Sequence, residues 1–106
     1  MPTRTDDVLA AYAAHLRTTR HASPHTIRAY LADLRQFLAV AGPGNAVPAV
    51  RPDTIRHWLR TLDGAADRAS IARKLAALRG LFRFLVDTGE ITVDPSAGIA
   101  TPMTRR

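Results

Sequence analysis

Hydrophobic and polar positions recur every three to four residues along four stretches of the chain, a pattern that is typical of amphipathic α-helices. The clearest stretch is residues 23–42, where six apolar side chains share one helical face. They are Ile27, Tyr30, Leu31, Leu34, Leu38 and Ala41. The Ser23 hydroxyl can cap the first turn, Pro24 suits the first helical position, and Gly42 can close the helix in a left-handed conformation. These signals predict a helix that buries one face.

The other face of this helix is basic and carries mostly small side chains. It comprises His25, Thr26, Arg28, Ala29, Ala32, Arg35 and Gln36, and Asp33 lies to one side of it. Because no acid lies within this face, the helix is suited to enter a groove of duplex DNA, whose phosphates are negatively charged.

A shorter helix is predicted before this stretch. Thr5 is its predicted N-cap, Asp6 and Asp7 complement the helix dipole in the first turn, and the helix ends within residues 17–20. Its apolar face comprises Val8, Leu9, Tyr12, Ala13 and Leu16.

Residues 42–50 are rich in Gly and Pro and predict a loop. A third helix begins at Pro52 and ends before the turn signal Asp63-Gly64. Its apolar residues are Ile55, Trp58, Leu59 and Leu62.

The fourth stretch predicts the longest helix, which Asp67 caps and Gly89 ends. Its buried stripe comprises Ile71, Leu75, Leu78, Leu81, Phe82, Leu85 and Val86. The opposite stripe comprises Ala69, Arg73, Ala76 and Gly80, with Arg79 and Arg83 on one edge. A glycine inside a helix costs roughly 1 kcal/mol relative to alanine, so Gly80 indicates close approach either by a large partner or by another helix.

The C-terminal residues predict a short turn and then a linker. Asp94-Pro95 can start one helical turn that Gly98 closes. No stretch alternates as a strand would, so the sequence predicts an all-α fold of four helices with a short C-terminal helical turn. We assign residues 5–100 to one helical domain and residues 101–106 to the start of a linker.

Composition narrows the function classes. The 106 residues carry a formal net charge of +6, and fourteen of the fifteen basic residues are arginine. This balance favours a nucleic-acid partner, although abundant arginine and alanine are also typical of GC-rich coding. There is no cysteine, no apolar run of membrane-spanning length and no signal-peptide pattern. We therefore expect a cytoplasmic protein that does not use a membrane.

No combination of residues predicts catalysis. The four histidines, His15, His21, His25 and His57, lack the spacing of a metal site. Residues 42–44 are too short for a glycine-rich phosphate loop. Tyr12 and Tyr30 lie on apolar faces, which favours packed rings over nucleophiles. We expect no catalytic residue, no metal and no cofactor.

Three segments resemble the core-binding domain of tyrosine recombinases, the family of Xer-type recombinases and phage integrases. Residues 23–38 (SPHTIRAYLADLRQFL) resemble its second helix, and residues 71–85 (IARKLAALRGLFRFL) resemble its fourth helix. Residues 94–99 (DPSAGI) with Pro102 resemble the exit segment before the catalytic domain, where the family often has Asn-Pro in place of Asp-Pro. The resemblance runs from about Val8 to Pro102.

This resemblance implies a SAM-like core-binding domain that forms the N-terminal half of a C-shaped clamp around double-stranded DNA. The family's catalytic residues lie in the next domain along the chain. The chain is therefore expected not to be an enzyme by itself, but to work with a catalytic domain in cis and with other recombinase protomers on DNA. Carried over by position, the DNA-facing residues are His25, Thr26, Arg28 and Ala29 on the second helix and Ser70, Arg73, Ala76 and Gly80 on the fourth.

Physical chemistry divides the roles of these residues. Thr26 and Ser70 lie in first turns, where free amides and the helix dipole favour phosphate. Arg73 lies near the centre of its exposed face, and we assign it to a base edge, guanine. The arginines at the edges of the two faces are assigned to phosphates, which position the protein without specifying sequence. They are Arg28, Arg35, Arg79 and Arg83.

Three functions remain open at this point. The first is sequence-dependent DNA binding within a site-specific recombinase, and the second is a helical protein-interaction module. The third is a stand-alone regulatory DNA binder, which differs from the first in having no catalytic domain beyond Arg106. A protein-interaction module would keep an exposed apolar patch after its core is filled.

Overall fold

The computed structural model describes residues 4–41 and 50–100, which form the helices α1 (Thr5–Thr18), α2 (Pro24–Ala41), α3 (Pro52–Leu62) and α4 (Arg68–Asp87). These residues contain no β-strand, so the predicted all-α fold is confirmed. The chain divides into two compact units, Met1–Ala49 with α1 and α2 and Val50–Arg106 with α3 and α4. The predicted closing residue Gly42, the loop at 42–49 and the linker at 101–106 lie outside the described residues.

The start of α1 lies one residue earlier than predicted. Arg4 is the N-cap, with an extended backbone and a carbonyl that accepts a hydrogen bond from the Val8 amide at 3.0 Å. Because the helical hydrogen bonds already begin at Arg4, Thr5 is the first helical residue, and the prediction that it caps α1 is wrong. Asp6 and Asp7 lie in the first turn as predicted, where their charges complement the dipole.

The start of α2 matches the prediction, with Ser23 as its cap and Pro24 as its first residue. The Thr26 amide donates to Ser23 Oγ at 3.1 Å, and the Ile27 amide donates to the Ser23 carbonyl at 3.0 Å. The first of these bonds satisfies an amide that the helix start would otherwise leave unpaired, and the second is the first regular bond of the helix.

The buried face of α2 is rotated relative to the predicted one. Ile27, Leu34 and Leu38 are buried as predicted, whereas Tyr30, Leu31 and Ala41 are half-buried. Phe37 is 0% exposed, and Asp33, one turn before it, is 3% exposed. Burial of the wholly apolar Phe37 ring carries Asp33 inward, away from the edge position that the sequence suggests. No fully buried side-chain polar atom of the described residues lacks a hydrogen-bond partner, so the burial of this carboxylate is compensated.

The short helix α3 forms within its predicted limits. Arg51 is the N-cap, Pro52 is the first helical residue, and Gly64 follows the helix with a φ of +84°. The buried side chains are Ile55, Trp58 and Leu62, and Leu59 is half-buried.

The long helix α4 carries both predicted end signals. Asp67 Oδ1 accepts a hydrogen bond from the Ser70 amide at 2.7 Å. At the other end Gly89 has a φ of +83°, and the Glu90 amide donates to the Leu85 carbonyl at 2.9 Å. This is the Schellman arrangement that ends a helix at a left-handed glycine.

The core face of α4 matches the predicted stripe, with Ala77 added and Val86 only half-buried. The buried side chains are Ile71, Leu75, Ala77, Leu78, Leu81, Phe82 and Leu85.

The predicted C-terminal turn is present as hydrogen-bonded turns over residues 94–99. Asp94 Oδ1 accepts bonds from the Ser96 amide at 2.8 Å and the Ser96 hydroxyl at 2.7 Å, and the Ile99 amide donates to the Ser96 carbonyl at 3.1 Å. Pro95, Ser96 and Ile99 are buried, so this segment is packed rather than loose.

Candidate nucleic-acid interface

The α2 surface is the set of residues on this helix that the sequence assigns to DNA: His25, Thr26, Arg28, Ala29 and Arg35. His25, Arg28 and Arg35 are exposed, whereas Thr26 and Ala29 are half-buried. The rotation of α2 toward Phe37 explains this division, because it draws Thr26 and Ala29 toward the interior. Arg28 and Arg35 form no ion pair with an acid of the described residues, so their charges are available to an anion.

The first turn of α2 has a neutral cap. The Ser23 hydroxyl also donates to Thr26 Oγ1 at 3.0 Å, which fixes the rotamers of both side chains. Pro24 has no N–H, and the Thr26 and Ile27 amides bond to Ser23. Within the described residues, the His25 amide is therefore the N–H group of this first turn that does not bond to Ser23. That amide lies in the positive field of the helix end, beside an imidazole.

The α4 surface is the corresponding set on the fourth helix: Ser70, Arg73, Ala76, Arg79, Gly80 and Arg83. Arg73, Ala76 and Arg83 are exposed, and Ser70, Arg79 and Gly80 are half-buried. From Arg68 to Val86 the helix contains no acid, so its outward side is cationic over most of its length.

The first turn of α4 differs from that of α2 because its cap is an anion. The hydrogen bond from the Ser70 amide lowers the pKa of the Asp67 carboxyl, and the Ser70 hydroxyl and the nearby Arg73 charge add to this lowering. A carboxylate therefore lies where the sequence predicts a phosphate, and it already uses the Ser70 groups. The assignment of Ser70 to phosphate stays a prediction, and this geometry disfavours it.

The two edge arginines of α4 have different surroundings. Arg79 donates a hydrogen bond from its guanidinium to the Ile99 carbonyl, so it holds the C-terminal segment against α4. Arg83 Nε lies 3.7 Å from Asp87 Oδ1, and both side chains are well exposed. An exposed pair of this kind stabilises a helix little, so Arg83 can exchange its partner for a phosphate at small cost.

Tyr12, the described tyrosine whose pKa is shifted, has a structural role. Burial raises the pKa of Tyr12 to about 12, the neighbouring Tyr30 adds to the rise, and Arg20 opposes it. The phenol is therefore protonated at neutral pH and enclosed in the core. Residues 4–41 and 50–100 hold no group of three or more metal-ligating side chains, and none of their helices is long and apolar enough to cross a membrane.

Several exposed cations have no role in the sequence-based assignment, which considers helical faces and ignores helix ends. Arg17 and Arg20 are exposed at the end of α1, and Arg68 is exposed at the start of α4. The signal that could have found the first two is the absence of any acid from Val8 to Ala32.

Comparison with known proteins places these elements in a family. A family profile described as the phage integrase N-terminal SAM-like domain matches residues 9–89. The chain is 40% identical over 98 residues to tyrosine recombinase XerC of Pelobacter propionicus, covering 89% of this chain and 32% of that protein. The proteins of the same name from Chlorobaculum tepidum and Mycobacterium leprae are 36% and 33% identical, covering 92% and 93% of this chain and 32% and 34% of theirs. No solved structure shows a significant match.

The chain thus spans about one third of the length of these relatives. The region that matches the family includes α2, α3 and α4 in full and most of α1. Both the α2 surface and the α4 surface lie within it, and the resemblance seen in the sequence is confirmed. This chain belongs to the phage integrase N-terminal SAM-like domain family.

Proposed function

We propose that this chain binds double-stranded DNA and serves as the N-terminal, DNA-positioning half of a tyrosine site-specific recombinase. The observation that carries the proposal is the α2 surface. It combines a helix N-terminus with a neutral cap, an unused His25 amide, and Arg28 and Arg35 without acidic partners among the described residues. Each of these features favours a phosphate, and together they lie along one helix that is narrow enough for a groove.

The alternative of a protein-interaction module has less support. The large apolar side chains that stay exposed in the described residues are Val40 (58%) and Val93 (76%). One valine in each compact unit offers far less than the several hundred Å² of contiguous apolar surface that marks a docking site. The cationic helices therefore favour DNA over a protein partner.

We assign no bond-breaking step to this chain. Its relatives are named tyrosine recombinases and are about three times as long, so we assign strand cleavage and joining to the part of those proteins that this chain does not cover. Within the chain, Arg28 and Arg35 position the duplex through phosphates, and Arg73 reads a base edge.

The experiment that tests DNA binding is fluorescence anisotropy of a labelled duplex at several salt concentrations. We expect a Kd of roughly 10⁻⁴–10⁻⁶ M at physiological salt and a log-linear loss of affinity with salt, with a slope of several ions. Absence of binding even at about 50 mM salt would overturn the proposal and favour the protein-interaction alternative.

Two single variants separate positioning from base recognition. Arg28→Ala is expected to weaken binding equally for all duplexes and to reduce the salt slope by about 0.9. Arg73→Ala is expected to weaken binding to the duplex preferred in a randomised pool by about 1–3 kcal/mol more than binding to the other duplexes. Arg60→Ala on α3 removes an exposed arginine outside both surfaces and serves as the control. If both variants bind like this control, neither residue belongs to the contact surface.

A further inference from the structure

The corner between α1 and α2 carries an exposed basic cluster that the proposed function does not use. Arg17, Arg20 and His21 are all exposed, and we name them the corner cluster. None of the three forms an ion pair with an acid of residues 4–41 and 50–100. They belong to a stretch, Val8 to Ala32, that contains no acid at all.

Backbone hydrogen bonds hold this corner in place. The Arg20 amide donates to the His15 carbonyl at 3.3 Å, and the Ala22 amide donates to the Leu16 carbonyl at 2.9 Å. His21 takes a left-handed φ of +54°, which is uncommon for residues other than glycine. The backbone of the cluster is therefore held by hydrogen bonds, so binding a ligand would not have to pay for ordering the backbone here.

The charges of α1 are separated along the helix. Asp6 and Asp7 lie in its first turn, and Arg17, the first member of the cluster, lies 10 residues (17 − 7) and about 15 Å beyond Asp7. The helix dipole accounts for one member of the cluster, Arg17, which lies in the last turn. Arg20 and His21 lie beyond that turn, so the dipole does not explain them.

The corner cluster is close to the α2 surface. Five residues, 19–23, connect α1 to α2, so Arg20 and His21 lie three and two residues before the Ser23 cap. The charge of Arg20 and the phenol of Tyr30 both act on the pKa of Tyr12, which indicates that the Arg20 side chain lies near the place where the two helices meet.

We propose that the corner cluster binds backbone phosphates of the same duplex that the α2 surface contacts. This inference rests on the proposed function and extends its footprint to the end of α1. The cluster and the first turn of α2 then form one continuous cationic edge, and the acidic start of α1 lies at the end of that helix remote from the DNA. Contacts to phosphates would add affinity and orientation but no sequence preference.

The test compares two double variants with the same loss of charge. Arg17→Gln with Arg20→Gln removes two cations from the corner. Arg51→Gln with Arg60→Gln removes two exposed cations, one at the N-cap of α3 and one within it, and neither is paired with a described acid. We expect the corner variant to lower the salt slope by about 1.8. The factor by which its affinity falls between about 50 and 200 mM salt would then be roughly tenfold smaller than for the wild-type chain. The α3 variant should keep the slope of the wild-type chain.

The outcomes distinguish the two proposals. If the wild-type chain shows no salt-dependent binding, the proposed function fails and this inference fails with it. If the wild-type chain binds but the corner variant keeps its slope, or both double variants lower the slope equally, the corner inference alone is wrong. A third variant, Arg17→Lys with Arg20→Lys, should restore the slope because the count of released ions depends on charge. Thermal melting checks that all variants fold.

Discussion

The N-termini of α2 and α4 share a capping geometry but differ in charge. At α2 the Thr26 amide bonds to the neutral Ser23 hydroxyl at 3.1 Å, and at α4 the Ser70 amide bonds to the Asp67 carboxylate at 2.7 Å. Both caps satisfy the same third-residue amide of the helix. The sequence assigns both first turns to phosphate on equal grounds, yet only the first leaves the positive end of its helix without an anion.

From this difference we infer that a helix N-terminus is more favourable to an external anion where its own cap is uncharged. The shorter contact at α4 lowers the pKa of Asp67, so the α4 end is neutralised from within the chain. The α2 end keeps its field, and the charge of Arg28 adds to it. We therefore expect DNA to contact the basic residues along the body of α4 rather than its first turn.

The largest expected effect tests the helical phase of α2, on which the comparison depends. Ile27 is 8% exposed, and Ile27→Asp would bury an unpaired carboxylate at a cost of about 4 kcal/mol or more, close to the whole stability of a small domain. We expect loss of cooperative thermal unfolding, measured by circular dichroism. Ala32→Asp, at an exposed position of the same helix, should stay folded. A cooperative Ile27→Asp variant would show that the assigned face is wrong.

The second-largest expected effect comes from a variant that removes the charge difference between the two caps. Ser23→Asp keeps a good N-cap but puts a negative charge at the α2 N-terminus, so the helix should be as stable as before while duplex DNA binds about tenfold or more weakly. The control is Ser23→Asn, which caps without charge. Anisotropy titrations of the two variants decide the matter, and equal affinities would mean that phosphate does not approach this turn.

The smallest expected effect concerns the charged cap of α4, Asp67. The lowered pKa of Asp67 means that its carboxylate stabilises the fold fully above the ordinary value of 3.8. That contribution is lost as the pH falls through the lower folded-state pKa. Asp67→Asn caps without titrating. We therefore expect the melting temperatures of the wild type and the variant to converge on acidification below pH 3.8, since only the wild type loses this contribution. Melting temperatures that fall in parallel with pH would contradict the role of Asp67 as a charged cap.

Local signals predicted most of the fold. Ser23, Asp67 and Gly89 mark helix ends through bonds to residues within five positions, and such bonds depend on nearby sequence alone. Thr5 is the exception, because a good capping residue does not prevent the helix from starting at the Arg4 carbonyl. Four helices and their order can therefore be predicted from the chain itself.

The candidate site was less predictable because it depends on the rotation of a helix and on contacts distant in sequence. Periodicity alone cannot choose between Tyr30 and Phe37 as the centre of a buried face, and choosing Phe37 brings Asp33 inward. Arg79 and its partner Ile99 are 20 positions apart, so the bond between them has no local signal.

The bond between Arg79 and the Ile99 carbonyl anchors the segment that follows α4, in which Pro95 and Ser96 are buried. The twelve residues from Thr88 to Ile99 could reach about 40 Å if they were extended and free. Because the Glu90 and Ile91 amides bond to the Leu85 carbonyl and Arg79 bonds to the Ile99 carbonyl, both ends of this segment are tied to α4 and that slack is removed. If α4 lies on a duplex as we propose, a displacement of α4 would then be transmitted to the backbone at Ile99 and not absorbed by a loose segment.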